Sequence, residues 1–378
     1  MPDDFMHVVL DFRPALRQAT GVGTYVQNLT TALCAAYPDD SYTVFSASWK
    51  DRVDAARVPT EAAIADWRIP VRVLDRAWNR WQWPPVEQLV GAVDIAHSPS
   101  PMLLPARHAR TIVSVHDCYF IRHPEDVFGT VLRDYVPLAR RAAQAADAVI
   151  VLSESGAREA QEVLGVSPDK LWVTNLGVER VFFRADAAAA RSLLHQHGVD
   201  RPFLLFVGRR EKRKDLGTLL AAFDELLAAG DDLQLVLVGP DAPGWLETWN
   251  VVPARARAAV RLLTHQPVET LAGLYAAATV VVAPSRWEGF GLTPLEAMAA
   301  GTPVVASAVG AQPEILADAA LFAAAGDAAQ MAHQCRRLLQ DRELATRMSA
   351  AGREHAERFP WSATAHRTHK LYVQLAAS

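Results

Sequence analysis

The sequence predicts a two-domain α/β protein with a parallel sheet in each domain. Three observations carry the prediction. Short β-branched runs alternate with longer Ala/Leu/Arg-rich stretches of helical period, the pattern of repeated strand–helix–strand units. The strand candidates are nearly continuous in apolar residues, as strands are when helices cover both faces of a sheet. The length, 378 residues, is long for one domain and short for three at about 150 residues per domain.

In the first half the predicted strands are residues 7–11, 42–45, 71–74, 95–97, 111–116, 148–152 and 171–174, each a short apolar run. In the second half they are 203–207, 233–238, 260–263, 279–283, 303–306 and 320–322. Helical periodicity falls between them at 23–37, 131–145, 156–164, 216–228, 268–277, 294–300 and 328–357. The join is expected near 179–200, where Gly177 gives way to an Ala/Arg-rich segment; the domains are then 1–180 and 181–360. Phe359-Pro360-Trp361 interrupts the helical pattern, and a last amphipathic helix over 362–376, within a tail 361–378, is expected to pack back on the first domain. No internal repeat of solenoid period occurs.

Composition excludes several classes. Hydrophobic residues at 51% with 21% charged describe a globular chain and not a disordered one. A formal charge of −4 argues against a nucleic-acid coat, so no nucleic-acid partner is expected. Cys34, Cys118 and Cys335 are far apart without CxxC spacing, which speaks against a disulfide framework or structural zinc. No apolar run reaches membrane-span length. Asp3 and Asp4 precede the first apolar run, the opposite of a basic signal-peptide start. A cytoplasmic protein is expected, with a peripheral seat at the inner face of the membrane left open.

Ligands of open parallel sheets bind beyond the carboxyl ends of the strands, and two such domains would face each other across a central cleft. The segments just after strands therefore matter most. Ser285-Arg-Trp-Glu288-Gly-Phe290-Gly291-Leu292-Thr-Pro294-Leu-Glu296 begins directly after the strand at 279–283. It runs through a Gly-containing loop into a helix with Pro294 in its first turn, where a missing N–H costs little. A helix start of this kind presents backbone N–H groups and partial positive charge to a phosphate. Glu288, in the loop, is expected to reach outward to a polyhydroxylated ligand. Glu296, on the first turn, is placed to accept both hydroxyls of a ribose diol. Taken singly, each glutamate reads equally well as a helix-start carboxylate. Gly208-Arg209-Arg-Glu-Lys-Arg-Lys214 follows the first strand of the second half, and such a basic run is either a phosphate clamp or a solvated loop. Gly21-Val-Gly23 reads as a loop before the first long helix; Val26 breaks the full GxGxxG, so a dinucleotide fingerprint is not supported. His116-Asp117 follows a strand and is either a ligand contact or a core or capping pair.

These segments together resemble retaining nucleotide-sugar glycosyltransferases of family 4, which have the GT-B fold of two Rossmann-like domains. Glu288 and Glu296 match the family's E-x7-E, residues 208–214 its G-R-x4-K segment, and Leu274-Tyr275-Ala-Ala-Ala278 its L-Y-x-x-A helix. Gly21-Val-Gly23-Thr-Tyr25, His116-Asp117, Asp94-Ile-Ala-His97-Ser-Pro99 and Ser153-Glu-Ser155 fall where the family has matching segments. The resemblance covers nearly the whole chain. It implies a catalytic set of Glu288, Arg209, Lys214 and His116, with donor contacts at Gly21, Gly23, Phe290, Gly291, Leu292 and Glu296. Arg209 and Lys214 would neutralise the leaving diphosphate, and Lys214 would act as a point charge. Arg210, Lys212 and Arg213 read as surface, although Arg213 can share the phosphate role. His116 would touch the transferred sugar, since enzymes of this kind are held to work by a front-face route in which the leaving phosphate assists the incoming hydroxyl.

The resemblance further implies a nucleotide-sugar donor, first choice GDP-mannose, and a saccharide or lipid-linked acceptor of surface-polysaccharide assembly. UDP- or dTDP-sugar donors are the alternative, as is a non-catalytic sugar-nucleotide-binding protein of the same fold. No Asp-x-Asp, HExxH or P-loop string occurs, so no metal and no cofactor are expected. Arg76-Ala-Trp78-Asn-Arg80-Trp81-Gln-Trp83 gathers tryptophan and arginine, either as packing beneath the first sheet or as an acceptor or membrane contact.

Overall fold

The computed structural model describes residues 5–16, 21–126, 135–242 and 245–378. The chain forms two compact units, Met1–Gly177 with Trp361–Ser378, and Val178–Pro360.

The first unit is built on seven parallel strands: β1 (His7–Asp11), β2 (Ser41–Ala47), β3 (Ala62–Trp67), β4 (Ile95–Ser98), β5 (Arg110–Val115), β6 (Ala148–Val151) and β7 (Leu171–Val173), in the order β3-β2-β1-β4-β5-β6-β7. The second has β8 (Phe203–Val207), β9 (Gln234–Val238), β10 (Val260–Leu263), β11 (Val280–Ala283), β12 (Val304–Ser307) and β13 (Leu321–Ala323), in the order β10-β9-β8-β11-β12-β13. In each sheet the order reverses once, between β1 and β4 and between β8 and β11, and such a reversal opens a crevice at the carboxyl ends of the two strands. Central strands are fully buried, as β9 and β11 show, because helices cover both faces.

The helices that matter below are α1 (Gly21–Ala36), α2 (Val71–Trp81), α3 (Val136–Ala145), α4 (Leu216–Ala228), α5 (Val268–Ala277), α6 (Leu292–Ala299), α7 (Gln312–Leu316), α8 (Ala328–Gln340), α9 (Arg342–Ala356) and α10 (Trp361–Ala376). Leu216, Leu219, Leu220, Phe223 and Leu226 of α4 enter the core of the second unit together with Leu235 and Leu237 of β9. At about 1.5–3 kcal/mol per buried apolar side chain, this stripe fixes the helix against the sheet. In the first unit α10 packs on α1; Thr364 donates to the Asn175 carbonyl at 2.9 Å, and Tyr372 meets His97 at 2.6 Å.

Three expectations are corrected. Residues 71–74 are not a strand but the first turn of α2, which follows Pro70 and buries Leu74 and Trp78; the third strand is β3, whose three alanines and aspartate hide it from an apolar count. The single helix expected over 328–357 is two, because Asp341 accepts a hydrogen bond from Leu344 N at 2.9 Å and caps a new start. Gly21 and Gly23 lie in the opening turn of α1 and not in a loop before it. Of the helix expected over 131–145, α3 is seen from Val136, and residues 131–134 lie outside the described residues.

Candidate active site

The strand reversal of the second sheet brings the ends of β8 and β11 side by side. After β8 the chain turns through Gly208 and Arg209 into a short 3-10 turn, Lys212–Lys214, and then α4. After β11 it passes Ser285 and Glu288 into α6. Arg286 N–H donates to the Arg213 carbonyl at 2.8 Å and joins the two loops.

Glu288 lies at the centre. It does not reach outward, as expected from its loop position, but is 9% exposed. Oε1 accepts from Ser285 Oγ at 2.6 Å and from Lys214 Nζ, and Oε2 accepts from Arg213 Nη1 at 3.3 Å. Burial works to raise the Glu288 pKa, but the Lys214 ammonium and Arg213 guanidinium outweigh it and hold the carboxyl at about 2. It is therefore an anion throughout the working pH range. A turn distant in sequence backs this inward position: Gly310, between β12 and α7, lies against the Glu288 backbone, and Ala311 N–H donates to the Glu288 carbonyl at 2.9 Å. Lys214 thus has one proton on Glu288, and its ammonium retains two further donors for a ligand phosphate.

The other basic residues separate. Arg209 is exposed, and no ion-pair partner occurs for it among the described residues. Arg210, expected at the surface, is instead 5% exposed; it pairs with Asp241, donates to the Leu263 carbonyl at 3.4 Å and lies over the Trp245 ring. Its guanidinium holds the β8, β9 and β10 ends together. Lys212 is exposed. Arg213 also pairs with Glu211 at 3.1 Å.

α6 starts at Gly291, whose φ of 98° is left-handed and suits glycine. No side chain caps this start and no acidic residue lies in its first turn, which leaves the first-turn backbone amides without a side-chain acceptor. Phe290 is buried, with its ring edge-on to Phe359 at 6.1 Å; what it offers a ligand is backbone. Leu292 is half-buried. Glu296, one turn on, accepts from Tyr275 Oη at 2.9 Å. Desolvation raises its pKa to about 8, against the Tyr275 hydrogen bond and with help from the Glu179 charge. A carboxyl whose folded pKa lies above its unfolded value loses the folded state stability as pH rises from about 4.5 towards 8. Glu296→Gln is therefore expected to be more stable than the natural protein at pH 8 and equal to it near pH 5; urea melts at the two pH values check this, and a difference independent of pH contradicts it.

In the first unit, His116 directly follows β5. Its Nε2–H donates to the Pro99 carbonyl at 2.8 Å, since a carbonyl only accepts, and Nδ1 is left as the acceptor nitrogen. Burial lowers the His116 pKa, so the ring is neutral near pH 7. Tyr25, on α1, abuts the ring edge-on at 5.0 Å and donates or accepts at Ser114 Oγ at 3.1 Å. His116 is thus a fixed hydrogen-bond acceptor and not a cationic acid. Gly23 is buried and Gly21 exposed, and a Cβ at Gly21 meets nothing within 4 Å.

Sequence does not pair Arg213 with the carboxylate of Glu288, because a loop string shows no partner seventy-five positions away; Ser285, three positions before Glu288, is in the same string, and only the fold shows that its hydroxyl turns onto the carboxylate. Tyr275 lies in the L-Y-x-x-A segment, and its spacing ahead of the strand was the available signal. Among the described residues no group of three or more His, Cys, Asp or Glu side chains is placed to hold a metal ion.

Comparison with known proteins agrees with this layout. Residues 19–181 match Glycosyltransferase Family 4, and residues 194–355 match Glycosyl transferases group 1. Alpha-maltose-1-phosphate synthase of Mycolicibacterium smegmatis is 35% identical over 63% of this chain; the match spans just under two thirds of that protein, 66%. O-antigen chain mannosyltransferase B of Escherichia coli is 27% identical over 98% of this chain and its own full length, 100%. The solved sucrose-phosphate synthase of Thermosynechococcus elongatus superposes with a TM-score of 0.77 at 24% identity, over 99% of this chain and 100% of that one, and so shares the fold. With one family matched in each half and this architecture in both units, the chain belongs to the family 4 glycosyltransferases of the GT-B fold.

Proposed function

We propose that the protein transfers a hexose from a nucleotide sugar to an acceptor hydroxyl with retention of the anomeric configuration, and that the donor is GDP-mannose. The observation that carries the transferase chemistry is the Lys214–Glu288–Arg213 cluster at the reversal of the second sheet, next to the uncapped start of α6. The donor diphosphate takes the two remaining Lys214 donors, the Arg209 guanidinium and the α6 amides, which together neutralise the charge that grows on the leaving group. Glu296 receives the ribose diol, and the backbone of Phe290 to Leu292 lines the phosphate and sugar. His116 Nδ1 accepts a sugar hydroxyl, with the opening turn of α1 at Gly21 and Gly23 in the same unit. No general base is needed from the protein if the leaving phosphate takes the acceptor proton. No metal or cofactor enters this scheme, because cationic side chains and helix amides stand where a cation would.

The mannosyl donor and a lipid-linked or saccharide acceptor in surface-polysaccharide assembly are favoured by the full-length similarity to an O-antigen mannosyltransferase. A glucosyl donor is the second reading, favoured by the higher identity to a maltose-1-phosphate synthase. Release of nucleoside diphosphate from a panel of GDP-, UDP-, ADP- and dTDP-sugars, with soluble and lipid-linked acceptors, decides between them. GDP release from GDP-mannose, undiminished in EDTA, is the expected result. Release only from a glucosyl donor overturns the mannosyl reading, dependence on added Mg²⁺ overturns metal independence, and no release from any donor favours a binding protein. The peripheral membrane seat belongs to the same reading; no helix of the described residues is long and apolar enough to cross a membrane.

A further inference from the structure

The two faces of α2 differ sharply. Leu74 and Trp78 point into the core of the first unit. Arg72, Arg76 and Arg80, four residues apart and so in one stripe, are exposed on the opposite face beside Val73, which is 59% exposed. Asp75, the helix's one acidic residue, is held by Arg13 at 2.7 Å and does not neutralise the stripe. No ion-pair partner for the three arginines occurs among the described residues. A chain of net charge −4 thus carries an unneutralised basic face.

That face ends in aromatic residues. Trp81 closes α2 at 66% exposure and Trp83 follows at 59%. At the same end of the helix lies a shallow depression open to solvent, lined by Trp78, Asn79, Gln82, Leu103, Leu138 and Arg141. Exposed tryptophans beside a stripe of arginines are what the boundary between lipid headgroups and hydrocarbon selects. A nucleic acid would use the arginines but not the exposed Val73 beside them.

We infer that α2 seats the protein on an anionic lipid bilayer, with Arg72, Arg76 and Arg80 on lipid phosphates and Trp81 and Trp83 at the headgroup boundary. This gives a surface to the lipid-linked acceptor of the reading above, but its measurement does not pass through sugar transfer.

The test is co-sedimentation of the full chain with vesicles of phosphatidylcholine alone and of phosphatidylcholine with about one third phosphatidylglycerol. The protein is expected to partition to the anionic vesicles and to release in high salt. Each arginine near such a surface contributes roughly fivefold, so R72Q/R76Q/R80Q is expected to lose on the order of 100-fold. W81F/W83F separates insertion from charge: acyl-chain-brominated lipid is expected to quench the natural protein's fluorescence and to lose most of that quenching in this variant. Equal partition to neutral and anionic vesicles, an unaffected arginine variant, quenching unchanged in W81F/W83F, or equal binding to a single-stranded oligonucleotide each overturns the inference. The substituted side chains are exposed, and circular dichroism confirms folding; if the triple variant misfolds, Arg80→Gln with a salt titration replaces it. Nucleoside diphosphate release with a soluble acceptor is expected to be the same in both variants, so failure of membrane binding and failure of the transferase reading give different results.

Discussion

Lys214→Ala is expected to lower kcat/KM by on the order of 10³ and to destabilise the fold by roughly 2–4 kcal/mol. The catalytic loss follows from removing a preorganised cation where the leaving diphosphate gains charge. The stability loss follows from what remains: Glu288, 9% exposed, keeps Ser285 and Arg213 but loses its nearest counter-charge. The pH dependence has a defined sign. With its folded pKa depressed to about 2, Glu288 contributes stability above about pH 4.5 that is lost as pH falls towards 2. Without Lys214 the depression shrinks, and the acid loss of stability begins from a lower starting value and covers a narrower range. Lys214→Arg keeps the charge and is expected to recover most of the stability but little of the rate, since a guanidinium does not fit an ammonium's position. Nucleotide release and urea melts at pH 7 and pH 4 check both parts. Full turnover by Lys214→Ala contradicts the assignment.

Gly310→Ala is expected to be nearly as damaging without touching any charged group. The residue has φ of 54°, and a Cβ there falls 2.3 Å from the Glu288 carbonyl oxygen and 3.1 Å from its nitrogen. Backbone cannot yield as a flexible side chain can, so the Glu288 loop must shift. A loss of roughly 3 kcal/mol and at least about 100-fold in kcat/KM is expected, from the left-handed conformation and the displacement of a catalytic loop together. Gly326→Ala is the control. Its φ is 76° but a Cβ there meets nothing within 4 Å, so it carries only the conformational cost of about 1–2 kcal/mol and leaves turnover unchanged. Equal effects of the two substitutions would refute the close-approach explanation.

Much of this arrangement is written locally in the chain. The apolar strands β8 and β11, the glycine at the start of α6 and the glutamates on either side of it can all be recognised from neighbouring residues. The third strand and the break between α8 and α9 were not, for opposite reasons. β3 is poor in large apolar residues because it is the edge of its sheet, whereas Asp341 is one polar residue in a helical pattern and acts only through its side-chain hydrogen bond to Leu344 N. The β-branched run at 71–74 resembles a strand, but Val71 and Val73 are exposed, and that face belongs to a helix. In the site, the identity of the charges was legible and their pairing was not. Nothing adjacent to Glu288 shows that it turns inward, because Lys214, Arg213 and Gly310 reach it from distant positions. Arg210 and Arg213 look alike in sequence and do different work, one bracing strand ends and the other facing the carboxylate.

The most direct measurement is calorimetric titration of GDP and UDP into the 378-residue chain, its Lys214→Ala variant and its Arg72→Gln variant. One nucleotide is expected to bind at one site per chain, at least about 30-fold more weakly to Lys214→Ala and unchanged in Arg72→Gln, given the cost of removing a charge-assisted phosphate contact. Equal affinity of the natural protein and Lys214→Ala for that nucleotide would mean that the diphosphate is held elsewhere, and the placement of the donor at the ends of β8 and β11 would be wrong.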